Sequence, residues 1–210
     1  MKIQTIPLGF FGANCYLLTD AQGNCVLIDP ADAKPLVNYM SKQGVSLRAI
    51  LLTHGHFDHI WGVAGLKKAT GAPVYCHAAD VELLHCPELA AGSFGDIDCP
   101  PCDADVQVKD GDTLEIGEMQ FTFLHTPGHS KGSVSILTPD GLFTGDTLFA
   151  GSIGRSDLYG GDSKVLMQSV RKLSELAFDG NVYPGHGGAT TLERERRSNP
   201  YVIAAQKGKL

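Results

Sequence analysis

The chain lacks an apolar run of membrane-spanning length, a block of like charge and a repeat of fixed period. Each absence removes a class of protein. A bilayer-crossing helix needs about 20 mostly apolar residues. The opening segment MKIQTIPLGFFGANCY has one lysine, no continuous apolar stretch and no small-residue cleavage site. Neither a spanning helix nor a secretory leader is therefore expected, and a cytoplasmic protein without a membrane partner is. Positive charge is scarce: 17 Lys and Arg stand against 23 Asp and Glu, for a formal net charge of −6. Nucleic acid is not an expected partner, because tracking phosphates takes a basic surface. The phosphate-cradling patterns G-x-x-x-x-G-K-[ST] and G-x-G-x-x-G are missing too.

Six cysteines are few enough to weigh singly. Cys99-Pro-Pro-Cys102 has no second C-x-x-C with which to complete a metal knuckle. Without an export signal the thiols are expected to stay reduced. The pair reads as inert or exposed cysteines in a loop.

What is present suits one domain over residues 1–210, since 43% apolar content supports a full-sized core. Short β-like runs lie at residues 3–7, 15–19, 25–29, 49–53, 74–77, 119–124, 133–138, 142–144 and 182–183, most ending in Gly, Pro or Asp. Apolar residues at three-to-four spacing predict helices over 34–43, 60–70, 79–86 and 163–178. A mixed α+β open sandwich follows. Asp110-Gly111 and Asp140-Gly141 read as hairpin-type turns, residues 87–105 as a long polar loop, and the ERERR run at 193–197 as a solvated helix face.

Chemistry enters where the strands end. Four separate apolar runs finish in a potential metal ligand: AILLTHGHFDH, FTFLHTPGH, GLFTGD and NVYPGH. A single histidine is ordinarily a satisfied core or surface residue. His54, His56, Asp58 and His59 instead put four donors within six residues, and Gly55 lets that loop turn sharply. Imidazole suits zinc or iron, and a carboxylate adds negative charge and can bridge two ions, so a His-rich set with two aspartates fits a dinuclear site better than a closed structural one.

T-H-x-H-x-D-H over residues 53–59, H-T-P-G-H over 125–129, F-T-G-D over 143–146 and Y-P-G-H over 183–186 together resemble the metallo-β-lactamase superfamily. Within it, the chain is similar to glyoxalase II, the hydroxyacylglutathione hydrolases, in a short single-domain form. The resemblance runs from about residue 3 to residue 186 and implies a four-layer αβ/βα sandwich with the site along one edge. It implies that His54, His56 and His129 hold one metal, Asp58, His59 and His186 a second, and Asp146 both. The expected cofactors are two divalent ions, zinc first, with iron and manganese acceptable to the same donors. The implied reaction is hydrolysis of S-lactoylglutathione or a related acyl thioester by hydroxide held between the ions, with Asp58 relaying a proton and Asp146 bridging. No Ser or Cys nucleophile is expected. Thr53 and Asp29 would brace the ligands, and His125 would sit nearby without binding metal.

The resemblance also puts Arg155 and Tyr159 beside the cleft as substrate-binding residues, whereas Lys131 reads as solvated. Only 24 residues follow His186, too few for the helical domain that supplies glutathione contacts in two-domain relatives. The expected partner is thus a small-molecule thioester, a glutathione conjugate among the candidates. Competing readings are a persulfide dioxygenase with mononuclear iron on His54, His129 and Asp146, a phosphodiesterase or nuclease of the same fold, and a non-catalytic binding protein. A β-lactamase is not favoured, because Asp146 stands where many such enzymes carry cysteine.

Overall fold

Alternation along the first strands explains why the chain needs more than one core. In the computed structural model, which describes residues 1–91 and 99–208, β1 (Lys2–Leu8), β2 (Ala13–Thr19), β3 (Asn24–Ile28), β4 (Ser46–Leu51), β5 (Val74–His77) and β6 (Val106–Val108) form a six-stranded sheet in that order. Cys15 and Leu17 of β2 point to one side and Tyr16 and Leu18 to the other, and all four are buried. Strands β3 and β4 repeat the pattern. Side chains alternate across a strand, so a strand buried on both faces must be covered twice.

The second sheet supplies one cover. It consists of β7 (Thr113–Ile116), β8 (Met119–His125), β9 (Val134–Thr138) and β10 (Gly141–Gly145). After a two-stranded ribbon of β11 (Leu148–Phe149) and β12 (Ser152–Ile153), β13 (Asn181–Pro184) and β14 (Thr190–Thr191) complete it, in the order β14-β13-β10-β9-β8-β7. Phe121, Phe123, Ile136 and Phe143 from this sheet meet Tyr16, Leu18, Val26, Ile28 and Leu51 from the first in a middle core. Helices cover the outer faces. Leu36 and Met40 of α1 (Ala33–Gln43) lie over the first sheet, while Val170 and Leu173 of α6 (Ser163–Ser174) lie over the second. Helix, sheet, sheet and helix make the four expected layers of a mixed α+β sandwich.

Local signals set the helix boundaries. The Asp32 carboxylate accepts from Lys34 N at the start of α1, and Gly44 ends the helix at φ 64°. Asp162 caps α6 in the same way through Lys164 N and Val165 N. The helix expected over 60–70 is instead two, α2 (Phe57–Ile60) and α3 (Val63–Thr70). Between them Gly62 passes so close to another loop that a Cβ there would stand 2.5 Å from Pro30 O.

Other expectations need correction. The helix expected over 79–86 is a single 3₁₀ turn, Ala78–Asp80, followed by α4 (Val81–His85). The loop expected at 87–105 opens with α5 (Pro87–Ala91), whose Ala90 and Ala91 are buried in the first core; residues 92–98 lie outside those described. Cys99 and Cys102 are buried rather than exposed, at 3% and 8% accessibility, and burial pushes the Cys102 thiol up to about 11. All six cysteines are free. Asp110-Gly111 is not a hairpin: it carries the chain from β6 in one sheet to β7 in the other. The ERERR run forms most of α7 (Leu192–Ser198), but its Glu195 is 1% exposed, because the carboxylate accepts hydrogen bonds from Gly151 N, Thr190 Oγ1 and Asn199 Nδ2. Asn199 in turn caps α8 (Pro200–Gln206). Among the described residues, no helix is long and apolar enough to cross a membrane.

Candidate metal centre

Strand β4 leads into the loop and short helix that carry His54, His56, Asp58 and His59. The turn after β8 carries His129. Strands β10 and β13 run parallel, so Asp146 and His186, just past their ends, emerge on the same side. The structure brings all seven residues together. Donor atoms of His54, His56 and His129 lie within 4.8 Å of one another, as do those of Asp58, His59 and His186. Asp146 sits between the triads: its Oδ2 is 3.5 Å from His129 Nε2 and 3.6 Å from His186 Nε2, and its Oδ1 is 3.5 Å from His59 Nε2.

Hydrogen bonds behind the rings decide which nitrogens face inward. Thr53 Oγ1 donates to Asp29 Oδ2 at 2.5 Å, so at 3.0 Å it accepts from His54 Nδ1 and leaves the His54 Nε2 lone pair bare. His59 Nδ1 donates to the same Asp29 oxygen at 3.0 Å, and His129 Nδ1 donates to the Arg155 carbonyl at 2.7 Å. His129 Nε2 therefore offers a lone pair toward His56 Nδ1, 2.8 Å away. With both its oxygens engaged by Thr53 and His59, Asp29 braces rather than binds. It is also the one non-glycine residue with positive φ among the described residues, at 52°, a conformation held by those bonds.

The bare atoms test whether metal fits. His54 Nε2, His56 Nε2 and Asp146 Oδ1 are buried without a hydrogen-bond partner, and an unsatisfied buried polar group costs about 1–3 kcal/mol. These atoms belong to a set of imidazoles and carboxylates gathered in the triads His54, His56, His129 and Asp58, His59, His186, with Asp146 between them, and that donor set fits divalent ions. Electrostatics agree for the first triad. Burial, then the neighbouring histidines, push His54 and His56 well below the ordinary histidine value, which keeps their lone pairs available. His59 is equally buried, yet Asp58, Asp146 and Asp29 outweigh that burial and raise it to about 10. Burial also opposes ionisation of Asp58, but His59 and His186 hold it below the usual carboxylate range.

The centre opens on a cleft of about 320 Å³. Phe11, Phe57, Ala90, Phe149 and Leu158 give it apolar walls, and Arg155 lies at its rim. The Arg155 guanidinium is half-exposed and makes a two-pronged pair with Asp157 at 2.6 and 2.7 Å. Tyr159 is not among the lining residues. Its hydroxyl donates to Glu82 at 2.9 Å, and Lys131 Nζ stands 4.8 Å from its ring centroid. His125 stacks on His77 at 4.1 Å and belongs to neither triad.

Two features escaped sequence reasoning. Gly128-His129-Ser130-Lys131-Gly132 has the G-x-S-x-G spacing of a serine nucleophile, but Ser130 is wholly buried and its hydroxyl donates to Asp80, so it is not placed to attack. Asn14 is the second. Its Nδ2 donates to Pro184 O and Gly187 O, both at 2.9 Å, while Tyr16 Oη donates to Pro184 O at 2.5 Å. Together they pin the His186 turn to the first sheet. The only signal was a polar residue entering an otherwise apolar strand.

Fold and donors together define a mixed α+β sandwich with a His/Asp metal centre at one edge. The chain belongs to the metallo-beta-lactamase superfamily, whose model matches residues 8–186. It is 35% identical to hydroxyacylglutathione hydrolase GloC of Haemophilus influenzae, over 96% of this chain and 98% of that protein. Among solved structures it is similar to BLEG-1 B3 metallo-beta-lactamase (TM-score 0.90, 37% identity, 96% of this chain and 99% of that one). It is also similar to TTHA1623 in a di-iron-bound form (0.84, 40%, 94% and 99%) and to ETHE1 from Myxococcus xanthus (0.77, 29%, 100% and 92%).

Proposed function

We propose that the chain hydrolyses acyl thioesters in the manner of glyoxalase II, using two divalent ions, with zinc the first candidate. The observation that carries this reading is the pair of donor triads with a carboxylate between them at the base of an apolar cleft. His54, His56 and His129 would hold one ion, Asp58, His59 and His186 the other, and Asp146 would be shared. When bound, such ions lower the pKa of water toward about 7 and polarise a carbonyl oxygen. The chain's own residues supply the rest. The Thr53, Asp29 and Arg155 contacts fix ring orientation, Phe11, Phe57 and Phe149 exclude bulk water, and Arg155 offers a cation to an anionic arm of the substrate. Asp58, kept ionised by His59 and His186, would relay a proton in addition to holding the second ion. A thiolate departs with little help because its conjugate thiol has a pKa near 8.5, which favours a thioester over an amide. The relationship to GloC supports the same substrate class.

A second reading, persulfide oxygenation on a single iron held by His54, His129 and Asp146, draws on the likeness to ETHE1. Metal analysis of protein purified without chelators, with S-D-lactoylglutathione, nitrocefin and a glutathione persulfide assayed on the same sample, separates the readings. About two metals per chain with thioester cleavage is the expected result. About one iron with oxygen uptake, or turnover of the lactam alone, would replace it.

A further inference from the structure

Asp80 lies outside both donor triads, yet its carboxylate joins the two loops that carry the first of them. It ends the 3₁₀ turn after β5 and is 1% exposed. Its Oδ2 accepts from Gly55 N at 3.0 Å and from Ser130 Oγ at 2.6 Å, and its Oδ1 accepts from Gly132 N at 2.6 Å. Gly55 stands between His54 and His56, and Ser130 follows His129. One buried side chain thus fixes the spacing between a loop of the first sheet and a loop of the second.

The local sequence is fitted to this approach. A Cβ on Gly132 would fall 2.7 Å from Asp80 Cγ, and one on Gly55 would fall 3.0 Å from Asp80 O and 2.6 Å from Leu83 Cβ. Both positions need the absence of a side chain. The hydroxyl hydrogens also run one way. Ser130 gives its proton to Asp80, so Ser133, whose Oγ is 2.7 Å away, gives its own to Ser130 and accepts from Ser130 N at 3.1 Å. Every group facing Asp80 is a donor, a requirement that a carboxylate meets and an amide cannot.

We propose that Asp80 is a positioning residue that sets the separation of His54 and His56 from His129 and thereby the affinity of that triad for its ion. The inference rests on the reading of this triad as a metal site. Asp80→Asn has nearly the same volume and tests it. Its oxygen can keep Gly132 N, and its amide can donate to a rotated Ser130 hydroxyl, but Gly55 N then loses its acceptor. Groups that orient metal ligands typically contribute 10- to 100-fold in affinity.

The experiment is a zinc titration of the stripped protein against a chromophoric chelator, with the visible spectrum of the cobalt-loaded protein as a second readout. Wild type should take up two equivalents; uptake of none overturns the metal reading itself. Asp80→Asn should bind one equivalent about 10- to 100-fold more weakly and show a changed cobalt spectrum. Wild-type affinity and spectrum, with only a lowered melting temperature, would make Asp80 a structural residue and overturn the proposal. Should Asp80→Asn fail to fold, Ser130→Ala decides. It removes one of the three bonds and should weaken the same equivalent several-fold, and unchanged affinity there also overturns the proposal.

Discussion

Gly185 offers a perturbation aimed at the centre alone. Its backbone carries no positive φ, its N–H donates to Gly145 O at 2.8 Å, and its carbonyl accepts from Asn14 N at 2.7 Å, so the turn is held at both ends. A Cβ there would overlap Asp146 Oδ1 and stand 2.8 Å from His59 Cε1. Since the turn cannot swing away, the Asp146 carboxylate must retreat by about 1 Å to regain van der Waals contact. Metal–ligand distances tolerate only about 0.2 Å. Gly185→Ala should therefore fold, with a loss of about 1–3 kcal/mol from overpacking, which at this chain length lowers the melting temperature by roughly 2–4 °C per kcal/mol. On the proposed reading, in which Asp146 is shared by two ions and a thioester is the substrate, it should bind metal more weakly and lose at least about 100-fold in kcat/KM. Gly188→Ala is the control, because nothing lies within 4 Å of its Cβ. Both variants would be stripped, titrated with zinc, and assayed beside wild type. Two tight equivalents and normal turnover in Gly185→Ala would refute the reasoning.

Arg155→Ala should raise KM for an anionic thioester roughly ten-fold, with kcat changed by no more than about three-fold; an unmoved KM would leave Arg155 with only its pairing to Asp157. For chelated protein the pH dependence has a determinable sign. His54 and His56 are depressed, so their contribution to stability is present above the unfolded value of about 6.5 and is lost as pH falls below it. His59 is raised, so its contribution is full below about 6.5 and is lost as pH rises through about 10. Melting of metal-free protein should thus peak at about pH 6.5, falling below it as His54 and His56 take up protons on unfolding and falling above it toward about pH 10 as the His59 contribution is lost, and a flat profile from pH 5 to 7 would count against the acid-side account. Burial pushes Cys25 up to about 12 and Cys102 up to about 11, and raises Cys15 and Cys76 as well. A disulfide reagent at pH 8 should accordingly find Cys86 first, the one cysteine that is not buried, and the other five on unfolding. Three fast-reacting thiols in native protein would contradict this.

The central strands were legible because each combines an apolar run with punctuation, as at 15–19 and 25–29, found as Ala13–Thr19 and Asn24–Ile28. The density of His54, His56, Asp58 and His59 was legible directly, and the other three residues that the structure gathers with them, His129, Asp146 and His186, were picked out by the resemblance of their motifs to the family. Other features left little trace. Strands β11, β12 and β14 have two residues each, too short for any period. Strands β6 and β7 are half exposed, at a sheet edge, and lack an apolar run. Glu195 looked like one more charge on a solvated face, because its partners Gly151 and Thr190 are fixed only by tertiary contact. Asp80 was hidden for the same reason, as its partners lie 25, 50 and 52 residues away. The split at Gly62 depends on a distant loop that no local window contains.

The middle core has a consequence for how damage would show itself. Four of the seven donors precede that core's second sheet in the chain, and three come from the second sheet's strand ends, so neither sheet carries a complete set. Their spacing therefore measures how the two sheets sit against each other. Trimming Ile136 or Val26, both buried in that core and neither a donor, would leave each half of the set intact while loosening the joint between them. Such changes would register as altered ion affinity well before the chain unfolds, making the centre a strain gauge for the seam between the sheets.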